Sequence, residues 1–245
     1  MTSFTNQVKK RIVSNSKNKN LKKYAHKFFL ESYPIKYSYN YSFFGRPIIQ
    51  YPQDIVALQE IIFKTKPDLI IETGIAHGGS LILCSSMLNL LNIYEKKKRM
   101  VLGIDIDIRK KNMKAIKNHP FNNLIKMIQG SSVDESVVKK VEKITKKFKR
   151  ILVILDSNHT HEHVLRELNY YSKFVSKKSY CLVFDTILND IPNQLMRNRP
   201  WNKKNNPKTA VKKFLKNNKK FIIDREFESK NVITCMPDGL LKRIF

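Results

Sequence analysis

The chain has 245 residues, 42% of them hydrophobic, which suffices for one sizeable core and is short for two independent domains. It carries no run of about 18 apolar residues, which excludes a membrane-spanning helix. Its three cysteines, Cys84, Cys181 and Cys235, sit in apolar stretches without CxxC spacing, which excludes a disulfide framework or a zinc site.

Forty-seven Lys and Arg against twenty Asp and Glu give a formal charge of +27, a balance that attracts nucleic acid, anionic lipid or phosphorylated substrates. The basic residues are nevertheless scattered over residues 96–99, 109–114, 139–149 and 203–220, among abundant Asn and Ile. They read as a solvated surface, so no stable nucleic-acid partner is expected. The N-terminus is polar and basic, without the apolar stretch of a secretory signal, and a cytoplasmic location is expected.

Residues 1–50 read as a basic and then aromatic extension, with residues 51–245 forming the main domain. In Tyr37-Ser38-Tyr39-Asn40-Tyr41 aromatic and polar residues alternate, which predicts an extended segment laid on the domain surface as a lid or as packing. Asp54 is placed to cap a helix carrying Ile55, Leu58, Ile61 and Ile62 at helical spacing, ended by Lys66-Pro67. Short β-branched runs then follow at residues 69–71, 100–104, 124–128, 151–155 and 180–184, each too short for a buried helix. Between them residues 80–94, 109–118, 134–148 and 162–175 have helical length and period. A further helix at 208–217 precedes two predicted strands at 221–227 and 232–236, with Pro237-Asp238-Gly239 as a turn. The alternation predicts an α/β fold with a doubly wound, mostly parallel sheet.

In such sheets a ligand sits beyond the carboxyl ends of the strands, where every distinctive residue of this chain falls. The first strand closes into Glu72-Thr73-Gly74-Ile75-Ala76-His77-Gly78-Gly79-Ser80. This is neither GxGxxG nor a P-loop. An acid, a glycine, three residues and a glycine resembles the first motif of class I methyltransferases, although a plain turn glycine would also explain Gly74. Asp105 ends the second strand, where a carboxylate accepts both hydrogen bonds of a ribose diol or caps a helix. Ser131 and Ser132 follow the third strand, as adenine contacts or as a helix cap.

The fourth strand ends in Asp156-Ser157-Asn158-His159-Thr160-His161-Glu162-His163 and the fifth in Asp185-Thr186. Two carboxylates at adjacent strand ends need a compensating charge, and oxygen ligands with open water positions suit Mg²⁺. His159 stands three residues after Asp156, where metal-dependent catechol-type O-methyltransferases carry a catalytic lysine; an imidazole there is able to take a hydroxyl proton. A helix starting at Thr160 would alternatively bring His159 and His163 together for a transition metal, while His161 and His163 read more simply as helix-surface residues.

These motifs, with Tyr51-Pro52-Gln53-Asp54, Gly103-Ile104-Asp105-Ile106-Asp107, Arg199-Pro200-Trp201, Asn205-Asn206-Pro207 and Pro237-Asp238-Gly239-Leu240-Leu241, resemble the cephalosporin hydroxylase family, which also holds the rhamnosyl O-methyltransferases. The resemblance runs from about Gly45 to the C-terminus. It implies a Rossmann-like class I fold that binds S-adenosylmethionine and Mg²⁺. Glu72, Gly74, Gly78 and Ser80 would hold the cofactor with Asp105, Ser131 and Ser132; Asp156 and Asp185 would hold the metal; Asp156 and His159 would carry catalysis. Phe184 stands where the antibiotic-pathway member has a metal-binding acid, so Thr186 is expected to complete the ligand set. The implied acceptor is a small molecule or glycan hydroxyl. An RNA methyltransferase and a catalytically dead nucleic-acid binder are the alternatives, and the sequence is compatible with a homo-oligomer.

Overall fold

Runs such as Leu69-Ile70-Ile71 and Ile151-Leu152-Val153 are apolar on both faces and therefore belong in the middle of a covered parallel sheet. The computed structural model, which describes residues 3–245, places them there. In chain order the elements begin with α1 (Ser3–Lys17), α2 (Lys19–Ser32), a 3-10 turn at Tyr37–Asn40, and a short hairpin of β1 (Tyr41–Phe43) and β2 (Arg46–Ile48). The wound part follows as α3 (Pro52–Thr65), β3 (Leu69–Thr73), α4 (Gly79–Tyr94), β4 (Met100–Asp105), α5 (Lys110–Lys117), β5 (Ile125–Gln129), α6 (Glu135–Thr145), β6 (Ile151–Leu155), α7 (His161–Tyr171) and β7 (Tyr180–Val183). It closes with α8 (Pro207–Asn217), β8 (Phe221–Ile223), α9 (Arg225–Asn231) and β9 (Leu240–Arg243).

The seven-stranded sheet has the order β5-β4-β3-β6-β7-β9-β8. β5, β4, β3, β6 and β7 are parallel, and β9 joins β7 antiparallel. Strand order reverses at β3, between β4 and β6, and opens the crevice at the carboxyl ends of β3 and β6. Two apolar layers cover the sheet: one centred on Ile70, Leu81 and Leu182, the other on Ile71, Val153 and Leu168. Among the described residues no helix is long and apolar enough to cross a membrane.

Three local expectations are corrected. Residues 37–40 form a 3-10 turn instead of an extended strand, because Tyr37 folds inward onto Phe28, Tyr41 and Tyr51 with ring centroids 5.4, 5.4 and 5.8 Å away. Asp54 does not cap α3, which starts at Pro52 with Tyr51 as N-cap. The Asp54 carboxylate instead accepts from Thr234 Oγ1 (2.5 Å) and Cys235 N (2.8 Å). That tether takes the backbone around residues 232–236 out of any strand. Lastly, residues 225–231 are helical, capped by Asp224 accepting from Glu226 N, with Glu226 and Glu228 in the first turn and Lys230 in the last. The last strand is thus β9, beyond the Pro237-Asp238-Gly239 turn. Gly239 is needed there, since a Cβ would stand 2.1 Å from the Val183 carbonyl oxygen.

Candidate active site

The loop after β3 is built on close approach. Gly74 has φ +90°, a left-handed value that favours glycine, and a Cβ on it would lie 2.0 Å from the carbonyl oxygen of Asp156. Gly78, the N-cap of α4, has φ +82° and faces Ile116. Asp105, at the end of β4, accepts from Ile75 N (2.7 Å), Ala76 N (3.3 Å) and Asp107 N (3.0 Å). It therefore holds the glycine loop in shape, and its remaining lone pairs are what a ribose would use. Arg46 supports the loop from above by donating to the His77 carbonyl (Nε, 3.0 Å) and to Asn112 Oδ1 (3.2 Å).

Glu72 lies beneath this loop, 1% exposed, and its Oε1 accepts from the Ser80 hydroxyl. Its Oε2 is buried without a partner. Burial pushes the Glu72 carboxyl up to about 8, with the Ser80 bond opposing the shift. The structure does not bring the serines after β5 to the loop. Ser132 is buried, its hydroxyl shares a hydrogen with His163 Nε2 at 3.1 Å, and its carbonyl accepts from Tyr171. Asp134, and neither serine, caps α6. The cavity beside the glycine loop is lined by Gly74, Ile75, Ala76, His77, Gly79 and Ser80, with neither Ser131 nor Ser132 on its wall.

Asp156, at the end of β6, and Asp185, just after β7, converge with His159. One ligand atom from each lies within 4.8 Å of the others, and His159 Nε2 is 3.2 Å from Asp185 Oδ2. Asp185 is held at φ +56°, an uncommon conformation for a residue with a side chain. Gln50 Nε2 donates to Asp156 Oδ2 at 3.1 Å. Poor hydration, and secondarily the charge of Asp185, push the Asp156 carboxyl well above its ordinary value. A divalent cation relieves that repulsion, so the donor set fits one.

The histidine run separates. His159 joins the cluster, with its ring edge-on to Trp201 (centroids 4.8 Å apart, 84°). His161 Nδ1 meets Thr209 Oγ1 at 2.8 Å. His163, part-exposed on α7, meets Ser132 and Ser157 at 3.1 and 3.2 Å and stands outside the Asp156–His159–Asp185 cluster. Thr186 is fully buried and its hydroxyl donates to the Pro237 carbonyl at 2.6 Å. It lines neither cavity, and its proton is spent on the C-terminal turn.

Two cavities meet at this cluster. One, about 210 Å³, runs along the glycine loop; the other, about 320 Å³, is walled by Tyr33, Tyr39, Tyr51, Leu195, Arg199 and Trp201. Gln50, Asp156, His159 and Asp185 line both. The second wall was not assigned from sequence. Its tyrosines, Tyr33, Tyr39 and Tyr51, are close in sequence but lie at least 150 positions from Trp201, so no local pattern joins them.

Residues 35–244 match the family model for Rhamnosyl O-methyltransferase/CmcI. The chain belongs to this family. Curated relatives include the rhamnosyl O-methyltransferases of Mycobacterium tuberculosis (strain H37Rv) and Mycobacterium leprae, each 26% identical over 140 residues, which is 57% of this chain and 54% and 57% of theirs. The chain thus spans about half the length of the curated relatives it matches. Among solved structures, CmcI with Mg and SAM superposes with a TM-score of 0.59 at 17% identity, covering 84% of this chain and 78% of that one. An O-methyltransferase from Bacillus cereus in complex with SAH gives 0.52 at 10% identity, covering 81% of each. Family membership and these superpositions establish the class I methyltransferase fold that the resemblance implied, on the doubly wound sheet read from the strand–helix alternation.

Proposed function

We propose that this chain is an S-adenosylmethionine-dependent O-methyltransferase that methylates a hydroxyl of a sugar or glycan precursor with the help of a divalent cation. The observation that carries this reading is the junction of the two cavities at Asp156, His159 and Asp185. One cavity runs along the loop expected to hold the cofactor, and the other offers aromatic faces of the kind that stack on sugar rings. A methyl donor in the first and a hydroxyl in the second would meet at the carboxylates.

Asp156 and Asp185 would hold the cation, Mg²⁺ by the resemblance drawn above. Bound there, it would lower the pKa of a coordinated hydroxyl. The remaining work belongs to the chain. Gly74, Ile75 and Ser80 shape the cofactor wall, and Asp105 fixes it through the Ile75 and Ala76 amides. Gln50 orients Asp156. Trp201 and Tyr33 orient the acceptor, so that the hydroxyl oxygen attacks in line as the methyl–sulfur bond breaks. His159 stands beside that hydroxyl, and its role as base or ligand turns on which partner its Nε2 takes.

The rhamnosyl substrate of the curated relatives supports a sugar acceptor here. A panel of glycosides and sugar precursors incubated with labelled cofactor, with and without EDTA, tests the proposal. Transfer to a sugar that stops on chelation is expected. Transfer to RNA in preference to every sugar, or no binding of the demethylated cofactor, would reject it.

A further inference from the structure

Three donor atoms gather at the foot of the two cavities, and one of them is a nitrogen. In an octahedral site with bonds of about 2.1 Å, neighbouring donors lie about 3.0 Å apart and opposite ones about 4.2 Å apart. His159 Nε2 stands 3.2 Å from Asp185 Oδ2, and all three donors fall within 4.8 Å. The His159–Asp185 pair already has the spacing of neighbouring donors, while the outer limit of 4.8 Å exceeds that of opposite donors, so Asp156 has to draw in to complete a face.

Neither chain neighbour of Asp185 brings a donor to the two cavities. Phe184 is an apolar side chain buried in the core, and the Thr186 hydroxyl is spent on the Pro237 carbonyl. Gln50 donates its amide nitrogen to Asp156, and its Oε1 accepts from Cys235 Sγ at 3.7 Å. Among the described residues no other His, Cys, Asp or Glu joins the cluster. His163, the other candidate of the run, is engaged by Ser132 and Ser157.

The imidazole is also aimed by its surroundings. Asn158 Oδ1 accepts from both Thr160 N (2.9 Å) and Thr160 Oγ1 (2.8 Å), which fixes the loop that carries His159. Trp201 closes on the ring from the side. The expected base role needs a lone pair on the nitrogen that faces the hydroxyl. If Nε2 gives its lone pair to an ion, a neutral ring carries its hydrogen on Nδ1 and is a donor only.

We infer that His159 Nε2 is a ligand of the divalent cation, and that the resulting two-carboxylate, one-imidazole face holds Mn²⁺ more tightly than Mg²⁺. The inference rests on the reading that this cluster holds a cation at all. Mg²⁺ favours oxygen donors, whereas imidazole suits the later divalent ions. Zn²⁺ prefers four-coordination, which would leave one open position, while a six-coordinate ion leaves three for a hydroxyl and water. Mn²⁺ combines that coordination number with tolerance of both carboxylate and imidazole.

The test is metal binding without turnover. Calorimetry with Mn²⁺ and Mg²⁺ on the metal-stripped protein is expected to favour Mn²⁺, and the Mn²⁺-loaded protein should show nitrogen electron-spin-echo modulation from a coordinated imidazole. His159→Ala should abolish the modulation and weaken Mn²⁺ at least about tenfold while weakening Mg²⁺ much less. His159→Asp should restore binding with an all-oxygen set, shift preference towards Mg²⁺ and remain silent in the nitrogen spectrum. Unchanged melting temperature and cofactor-product affinity would show that the variants are folded. Mn²⁺ binding with no nitrogen modulation, or a Mn²⁺-to-Mg²⁺ ratio that His159→Ala leaves unaltered, would overturn the inference while leaving the metal site standing. Absence of any divalent binding would reject the inference together with the metal limb of the proposed function, and would mark His159–Asp185 as an ordinary ion pair.

Discussion

A Cβ on Gly74 would stand 2.0 Å from the carbonyl oxygen of Asp156, so the loop expected to hold the cofactor and the strand end that carries a carboxylate of the Asp156–His159–Asp185 cluster are in direct backbone contact. Asp156 N also donates to the Thr73 carbonyl at 2.9 Å. Gly74→Ala must therefore move one strand end relative to the other as well as strain a φ of +90°. The expected outcome is a stability loss on the order of 2–4 kcal/mol together with loss of cofactor-product binding. Thermal unfolding and calorimetry check both; a variant of normal stability and affinity would show that the contact is soft.

Glu72 makes a prediction with a sign. Its carboxyl is raised from 4.5 to about 8 by burial, so in the folded state it keeps its proton where the unfolded chain has lost it. Its contribution to stability is fully present below pH 4.5, declines as pH rises towards about 8, and is flat above that. Glu72→Gln keeps the acceptor for the Ser80 hydroxyl and removes the titration. The variant should gain on the wild type by a few kcal/mol at most, with the gap opening between those two pH values. Denaturant unfolding across the range measures it, and a gap that is constant with pH would show that Glu72 is not protonated in the folded chain.

Asp105 has two jobs to be told apart. Asp105→Ala should weaken S-adenosylhomocysteine at least about tenfold, or about 1.4 kcal/mol. If the carboxylate also meets the ribose, the wild type should prefer the ordinary product over its 2′-deoxy analogue, and the variant should lose that preference. Equal affinities for the two ligands in the wild type would leave Asp105 as the clamp of the Ile75 and Ala76 amides alone.

For Asp156→Ala the expectation is complete loss of metal-dependent transfer with product affinity held within about threefold, since the carboxylate would hold the proposed cation while Asp105 holds the glycine loop. Turnover that survives in this variant, or in the carefully demetallated wild type, would remove the cation from the mechanism.

Trp201 walls only the larger cavity, beside His159 and beneath the Arg199 guanidinium, whose carbon lies 5.3 Å from the indole centre. Trp201→Ala should raise the acceptor KM by roughly tenfold while leaving cofactor affinity unaltered. An unchanged KM would place the acceptor elsewhere.

The amino-acid sequence by itself determined the parallel sheet, because β-branched runs such as Ile151–Leu155 alternate with amphipathic stretches, and only a sheet covered on both faces buries them. It also determined which residues stand near the strand ends, since Glu72 falls in the last two residues of β3, Asp156 directly follows β6, and Asp185 lies two residues beyond β7. What it left open were the relations between distant segments. The spacing from Asp156 singles out His159 among the three histidines, but their separate partners Asp185, Thr209 and Ser132 come from other strands and helices. The same holds for Asp54, a cap by its position in sequence and a tether of residues 234–235 in the fold. The wall of the larger cavity arises only when Tyr33 and Trp201 are brought together with Asp156 and Asp185. Secondary structure follows the short-range periodicity of burial, whereas a side chain's partner is chosen by packing across the whole chain, and that choice gathered Asp156, His159 and Asp185 into one cluster.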